Sequence, residues 1–277
     1  MGRWLGLLTV VAMAGQGLQA GTITTDWASS DMAVFSHGNV SIGWRALVEG
    51  SVAARGDVWL EGEGRVAGEV YAGDAIQTGW KSSFGTLHAP LGAGPFDAAP
   101  LPKVPTTPSG GQAATAGMKS TLALEPGTYG AVAADWRGQL QLGAGTYYFD
   151  SLVLGDDASM ALDTSQGDVF VFVTGDMGMA WRARVVRSGD GGALFAVGGA
   201  FASTSEGVLD SSLLTGGAVS LGWRSQVVGQ VFAQGDVTLA SESTVGGAPL
   251  AQVPEPAATG VLLAGLIGLA LRRGRAV

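Results

Sequence analysis

The residues with the most chemical character in this sequence are tryptophans followed directly by a base. They are Trp44-Arg45, Trp80-Lys81, Trp136-Arg137, Trp181-Arg182 and Trp223-Arg224, and they use five of the eight tryptophans. An indole face stacks on the apolar face of a sugar ring or under a cation, and the neighbouring base can pair with a carboxylate. A row of such pairs would suit an acidic polysaccharide. Each Trp also follows an apolar position by four residues: Val40, Ile76, Val132, Met177 and Val219. In an unbroken strand that even offset keeps the ring on the same side as the apolar residue, where it would plug a corner of the core. A turn at the preceding residue, glycine at Gly43, Gly79 and Gly222, would instead set the rings in an exposed row.

Acidic residues follow glycine at Gly56-Asp57, Gly73-Asp74, Gly155-Asp156, Gly167-Asp168, Gly175-Asp176, Gly189-Asp190 and Gly235-Asp236. An aspartate at a turn bonds its own local backbone, so these read first as turn residues. Neither an EF-hand loop nor the nonapeptide of calcium-binding rolls occurs, and nothing asks for a metal or a cofactor. Asp156-Asp157 could supply carboxylates for glycoside hydrolysis, but neighbours on a turn point in different directions. The two histidines, His37 and His88, stand apart near loops, and neither GxSxG nor HExxH is present. Cysteine is absent, which removes disulfides, thiolate metal sites and a cysteine nucleophile. The expectation is a protein that is not an enzyme.

The elements that carry the tryptophans come from a repeat. Val40 to Gly68 (VSIGWRALVEGSVAARGDVWLEGEGRVAG) and Val219 to Gly247 (VSLGWRSQVVGQVFAQGDVTLASESTVGG) align without a gap at an offset of 179, with 16 of 29 positions identical. Within each copy a step of 18 links Val40, Val58 and Ile76, and likewise Phe201, Val219 and Val237. The same step joins LALEPGTY from Leu122 to LQLGAGTY from Leu140. Apolar residues alternate around these anchors, as in Val219, Leu221 and Val237, Leu239, which marks short strands with one buried face. Val169 to Val173 (VFVFV) reads as a strand buried on both faces. Strands separated by glycine turns at this period predict an all-β, right-handed β-helix or β-solenoid with rungs of about 18 residues. His88 to Lys119 breaks the pattern with six of the ten prolines, and it is expected to be a linker between two solenoid segments that can still pack as one body.

Bulk composition agrees. Glycine is high at 46 residues, and charged residues make up 14% against a usual share of about a quarter. The net charge is −8, and Arg3, Arg272, Arg273 and Arg275 lie in the terminal segments, so the middle is more acidic still. An acidic surface repels a phosphate backbone, so nucleic acid is not an expected partner.

The ends read as sorting signals. Met1 to Ala20 has a basic start, an apolar stretch from Trp4 to Ala14 and a small residue at the end, the pattern of a removable signal peptide with a helical core. At the far end Val253, Pro254, Glu255 and Pro256 precede an apolar run from Ala257 to Leu271 and then Arg272 and Arg273. At 15 residues the run is short for a full span of about 20, and the arginines would hold its end in the cytoplasm. That order resembles the PEP-CTERM sorting signal. The resemblance implies processing by exosortase, transient residence in the inner membrane, and association with exopolysaccharide and biofilm at the cell surface or in the extracellular matrix.

Two further resemblances concern the middle. The Gly-punctuated VEGSV and GDVTL rungs are similar to bactofilin-like β-helices. The LEPGTY, LGAGTYYF and GDVFVF stretches resemble the β-solenoid of the ice-binding adhesin family, which implies ice binding as an alternative function, although Thr22, Thr24 and Thr25 form no ladder. The organisation expected is residues 1–20 as signal peptide, 21–87 as the first solenoid segment, 88–119 as linker, 120–250 as the second segment, and 251–277 as sorting signal with an apolar helix. The expected function is that of an exported surface or matrix protein. A carbohydrate-active β-helix enzyme is a further alternative.

Overall fold

The computed structural model describes residues 7–9, 22–24, 32–92 and 110–246. Apart from Leu7–Thr9, which pairs antiparallel with Thr22–Thr24, the expected signal helix, the apolar sorting helix and the VPEP motif lie outside the described residues. No helix among the described residues is long and apolar enough to cross a membrane.

Residues 32–92 and 110–246 form a parallel β-solenoid of about ten rungs. The local cause is the alternation seen in the sequence. Three-residue strands such as Val40–Ile42, Val58–Leu60, Val219–Leu221 and Val237–Leu239 bury their first and third residues and turn the middle one outward. Each strand is too short to stand alone, and its backbone groups are satisfied only by equivalent strands one rung away.

Each rung presents up to three strands, which define faces A, B and C. Face B takes Ala114–Ala116, the second halves of Gly127–Ala134 and Gly145–Leu154, then Met177–Met179, Phe201–Ser203, Val219–Leu221 and Val237–Leu239. It continues with Val40–Ile42, Val58–Leu60 and Ile76–Thr78. Face A is built from strands such as Val169–Val173, Ala193–Val197, Val231–Ala233 and Ser51–Ala54. Face C runs from Thr121–Leu124 to Arg65–Val66.

Chain order and spatial order differ. Residues 114–245 climb the column first, and residues 32–88 stack on top of them. Val231 pairs with Val34, Val237 with Val40, and Val245 with Val48, so the C-terminal rung is the floor for the N-terminal one. The two segments thus make one column. Gly246 and Met32 meet at the same internal junction, whereas residues 92 and 110 belong to opposite ends of the column. Residues 110–119, counted with the linker on the strength of the prolines, already contain the first face B strand, Ala114–Ala116.

The 18-residue step holds where Val219 sits on Val237, Val40 on Val58, Val58 on Ile76, and Leu122 on Leu140. In the intervening rungs the step lengthens: Leu152 sits on Met177 and Met177 on Phe201. Most of the extra residues lengthen the face C and face A strands to five residues, as in Ser159–Asp163, Val169–Val173, Arg184–Ser188 and Ala193–Val197, and the inward columns of face B stay in register. The interior fill is Val, Leu, Met and Phe, with Tyr147, Phe149, Phe195 and Phe201 among the largest wholly buried side chains. VFVFV is buried on both sides as expected. Val169, Val171 and Val173 join the interior, while Phe172 joins a second apolar layer on the outer side of face A with Leu194, Ala196 and Leu214.

Candidate functional site: a charged aromatic corner and a flat uncharged face

After each face B strand the chain turns sharply toward face C. In nine of the ten rungs a backbone bond closes this corner, as from Ala46 N–H to Gly43 C=O and from Ser225 N–H to Gly222 C=O. The third residue of the turn has φ of +54° to +59° in all ten rungs. In spatial order these residues are Lys119, Arg137, Asp157, Arg182, Glu206, Arg224, Glu242, Arg45, Glu63 and Lys81. They are the only non-glycine residues with positive φ among those described. Glycine is the natural occupant of such a site, and the chain has 46 of them, yet every corner carries a charged side chain.

The corners are hydrogen-bonded to one another. All of these residues but Lys81, on the last rung, donate their N–H to the carbonyl of the corner residue one rung on, as in Arg182 to Ser205, Glu206 to Trp223, Arg224 to Ser241, Glu242 to Trp44, Arg45 to Gly62 and Glu63 to Trp80. From Arg137 onward the side-chain charges alternate, base on one rung and acid on the next. Arg224 Nε meets Glu242 Oε2 at 2.6 Å, and Arg45 Nε meets Glu63 Oε2 at 2.6 Å. Asp157 lies 2.7 Å from Arg182 and 3.6 Å from Arg137.

From Arg137 onward the residue before each base is a tryptophan, on alternate rungs: Trp136, Trp181, Trp223, Trp44 and Trp80, while Met118 precedes Lys119. On the rungs between, Asp156, Ser205, Ser241 and Gly62 occupy the same position. The indoles are therefore about 9.6 Å apart, two strand spacings. They are not core plugs. Their exposure is 38–67%, because the strand ends two residues before the Trp and the turn swings the ring outside. Each ring lies under its own base, at 3.9 Å for Arg45, 4.2 Å for Lys81, 4.5 Å for Arg137, 3.7 Å for Arg182 and 4.1 Å for Arg224. All ten residues singled out from the sequence thus gather on one edge of the column.

Reading the sequence for Trp-base pairs missed the acids between them. The signal was there: 18 residues after Arg45 and Arg224 stand Glu63 and Glu242, and 18 before Arg224 stands Glu206. The long internal repeat is the same fact. Its two copies stack as consecutive two-rung units, each with one Trp-Arg rung and one acidic rung, although 179 residues separate them in the chain.

The other candidates are absorbed by the scaffold. Five of the seven Gly-Asp carboxylates bond across rungs instead of to their own turn. Asp236 accepts from Asn39 N–H at 2.7 Å, Asp57 from Ala75 N–H at 2.9 Å, Asp176 from Ala200 N–H at 2.8 Å, and Asp168 from Gly192 N–H at 2.6 Å. Of the proposed acid pair, Asp156 accepts the Trp181 N–H and Asp157 belongs to the charge ladder. His88 stacks flat on Tyr71 and its Nε2 reaches Glu69 at 3.1 Å. Among the described residues no group of three or more acidic or imidazole side chains is placed to hold a metal.

A second surface adjoins the corner. The outward residues of face B form one column, from Thr115 through Ala133, Val153, Gly178, Ala202, Ser220, Thr238, Ser41 and Trp59 to Gln77, each in register with the next. None is charged, and most are small.

The architecture is that of a parallel β-solenoid with one charged aromatic corner beside one neutral flat face. Residues 113–252, half of the chain, match the family described as a domain of unknown function, DUF7305, and the chain belongs to that family. No curated protein matches the chain in sequence. Among solved structures it is similar to a glycosylated ice-binding protein from an Arctic yeast, at 16% identity and a TM-score of 0.44, over 82% of this chain and 94% of that one. It is also similar to the ice-binding protein of the Antarctic ascomycete Antarctomyces psychrotrophicus, at 10% identity and a TM-score of 0.43, over 78% and 94%. An ice-binding protein from an Antarctic biological consortium matches at 13% identity and a TM-score of 0.41, over 87% and 97%.

Proposed function

We propose that this chain is an exported, non-enzymatic β-solenoid that uses face B to hold a layer of ordered water, with ice as the surface bound. The observation that supports this reading is the unbroken run of ten outward residues without a charge. A charged group binds its own hydration shell tightly, and stripping or reordering that shell is costly. Small methyl and hydroxyl groups at a fixed spacing of about 4.8 Å impose no such shell and leave the first water layer free to follow an external lattice. Of the Gly-Asp carboxylates bordering the face, Asp57, Asp176 and Asp236 are each committed to a backbone N–H. Ice is the ligand named for the three solved structures above. The purified chain is expected to slow ice recrystallisation, and Ala202→Lys with Thr238→Lys is expected to abolish that effect while leaving the circular dichroism spectrum unchanged. Absence of any effect of the wild-type chain on ice growth or recrystallisation refutes the reading.

A second reading takes its support from the tail. Val253-Pro254-Glu255-Pro256, the apolar run and Arg272-Arg273 favour processing by exosortase at the inner membrane and release to the cell surface or matrix, beside exopolysaccharide. The measurement is the mass of the mature chain in cells with and without exosortase. A tail of the same mass in both removes this reading.

A further inference from the structure

We propose that the corner ladder is a binding track for an extended acidic polysaccharide of the polyuronate type, engaged one disaccharide per pair of rungs. This inference is independent of the function proposed for face B.

The first argument is conformational. A non-glycine residue in the left-handed region costs about 1–2 kcal/mol relative to its ordinary conformation. Ten successive corners accept that cost where glycine would not incur it. The exposed ion pairs between them, such as Arg45 with Glu63 at side-chain exposures of 52% and 28%, return little by themselves. Side chains at these positions are therefore held for something besides the stability of the turn.

The second argument is chemical. Five indoles stand exposed in a straight row, in a chain whose other large side chains mostly fill the interior. A guanidinium or ammonium lies over each ring, with both Arg137 and Lys119 over Trp136, so positive charge is presented beside the aromatic surface left exposed. Among the ten ladder residues six are basic and four acidic, and Glu61, Asp135 and Asp156 stand in the same turns, so positive charge is concentrated on rungs such as those of Trp44, Trp80, Trp181 and Trp223, whose turns carry a base and no acid. Arg45 and Arg224 reach their acids through Nε, and a guanidinium carries five donors. Donors remain for a carboxylate in the planar, two-point geometry that arginine favours. A pyranose ring offers the apolar face that stacks on indole, and a uronate adds the carboxylate.

The third argument is the period. The repeat of the track is two rungs, about 9.6 Å, and the small residues Ser241, Ser205 and Gly62 keep the interval between rings open. A Cβ added to Gly62 would stand 3.6 Å from the Trp44 ring, so that ring leans over the intervening rung. An extended 1,4-linked polyuronate advances by about the same length for every two sugars. A duplex nucleic acid has no exposed ring faces to offer such a row.

The test uses the purified full chain titrated with polygalacturonate oligomers of increasing length, followed by calorimetry and tryptophan fluorescence. Neutral cello-oligosaccharides and duplex DNA serve as comparison ligands. Saturable binding to polygalacturonate is expected, tightening in steps of two sugars and weakening as salt rises. The triple variant Trp181→Ala, Trp223→Ala, Trp44→Ala is expected to bind about tenfold more weakly or worse, with Trp59→Ala on face B unchanged. Should the triple variant lose its β-sheet spectrum, the corresponding Trp→Tyr triple, which keeps a ring at each corner, is expected to retain most of the binding. Arg182→Gln with Arg224→Gln is then expected to weaken it by a comparable factor. Failure of polygalacturonate to bind overturns the proposal. So does equal affinity for the neutral oligomers or for DNA, or full binding by the Trp→Ala triple.

Discussion

Face B and the corner ladder are built from the same ten turns of chain, and only two residues separate Ser41 on the face from Trp44 on the corner. On the face, the backbone is extended, the outward residues are small and neutral, and nothing about the position dictates which residue stands there. At the corner, the backbone is forced into the left-handed region, and charged residues occupy it on every rung. A surface that costs little conformationally is kept plain, and one that costs more is kept charged and aromatic. The lesson is that in a solenoid the specialised chemistry is placed where the regular period breaks.

The sharpest way to break this contrast is to compare two glycines. A Cβ at Gly222, directly before the Trp223 corner, would sit 1.0 Å from the carbonyl oxygen of Thr204 on the rung below. On this rung the corner leaves no room for a side chain there, although Glu61, Asp135, Ala180 and Ala240 hold the equivalent position elsewhere. Gly222→Val is expected to destabilise the chain by about 4 kcal/mol or more, read as a shift of the midpoint in chemical denaturation. Gly178, on face B, has nothing within 4 Å of the same added atom. Gly178→Ala is expected to be neutral or stabilising by up to about 1 kcal/mol. Equal costs for the two would mean that the corner is no more constrained than the face.

Charge provides the next comparison. Glu242 lies between Arg224 and Arg45 in the ladder and pairs with the former. Glu242→Lys places three bases in a row and is expected to cost about 1 kcal/mol, fading as salt is raised, as partly exposed charges do. Thr238→Lys, on the face strand that leads into the same corner, is expected to stay within about 0.5 kcal/mol of wild type. A finer probe separates side chain from backbone at one position. Arg224→Ala loses the ion pair and keeps the left-handed strain, while Arg224→Gly loses the pair and relieves the strain. The glycine variant is expected to be the more stable of the two by about 1 kcal/mol.

Much of this was legible beforehand, and for a physical reason. The steps of 18 at Val40, Val58 and Ile76 are the direct imprint of stacking equivalent residues at one strand spacing, so period in the sequence becomes column in space. The Trp-base pairs were likewise visible as a set, because each is a local dipeptide. Their direction was not. An even offset from Val40 places Trp44 inward only if the strand continues, and whether it ends at Ile42 depends on a turn whose third residue, Arg45, shows no glycine to announce it. The order of the rungs was also hidden. Nothing local tells that Val40 lies on Val237, since that contact joins residues at opposite ends of the chain. Arg45, Glu63 and Lys81 already alternate at the 18-residue step, but their joining to Arg224 and Glu242 as one ladder appears only once that order is known.

The smallest expected effect lies away from both surfaces, at the last rungs of the column, and serves as their control. Tyr71 donates to Glu69, and that bond, with some burial and the nearby negative charge, pushes the phenol up to about 12 from an ordinary value of 10.0. The same bond, with His88 Nε2 beside it, holds the Glu69 carboxyl below its ordinary 4.5. For the raised phenol, the contribution to stability is complete below about pH 10 and is lost as pH climbs from there toward about 12. For the lowered carboxyl, the contribution is present above about 4.5 and is lost as pH falls through the depressed value. Thermal unfolding measured across pH should therefore show a shallow loss at each extreme, and Glu69→Gln should flatten both. Because the corner ladder and face B share no group with this cluster, binding by either surface should be unaltered in Glu69→Gln at neutral pH, and a change there would show that the end of the column is coupled to them.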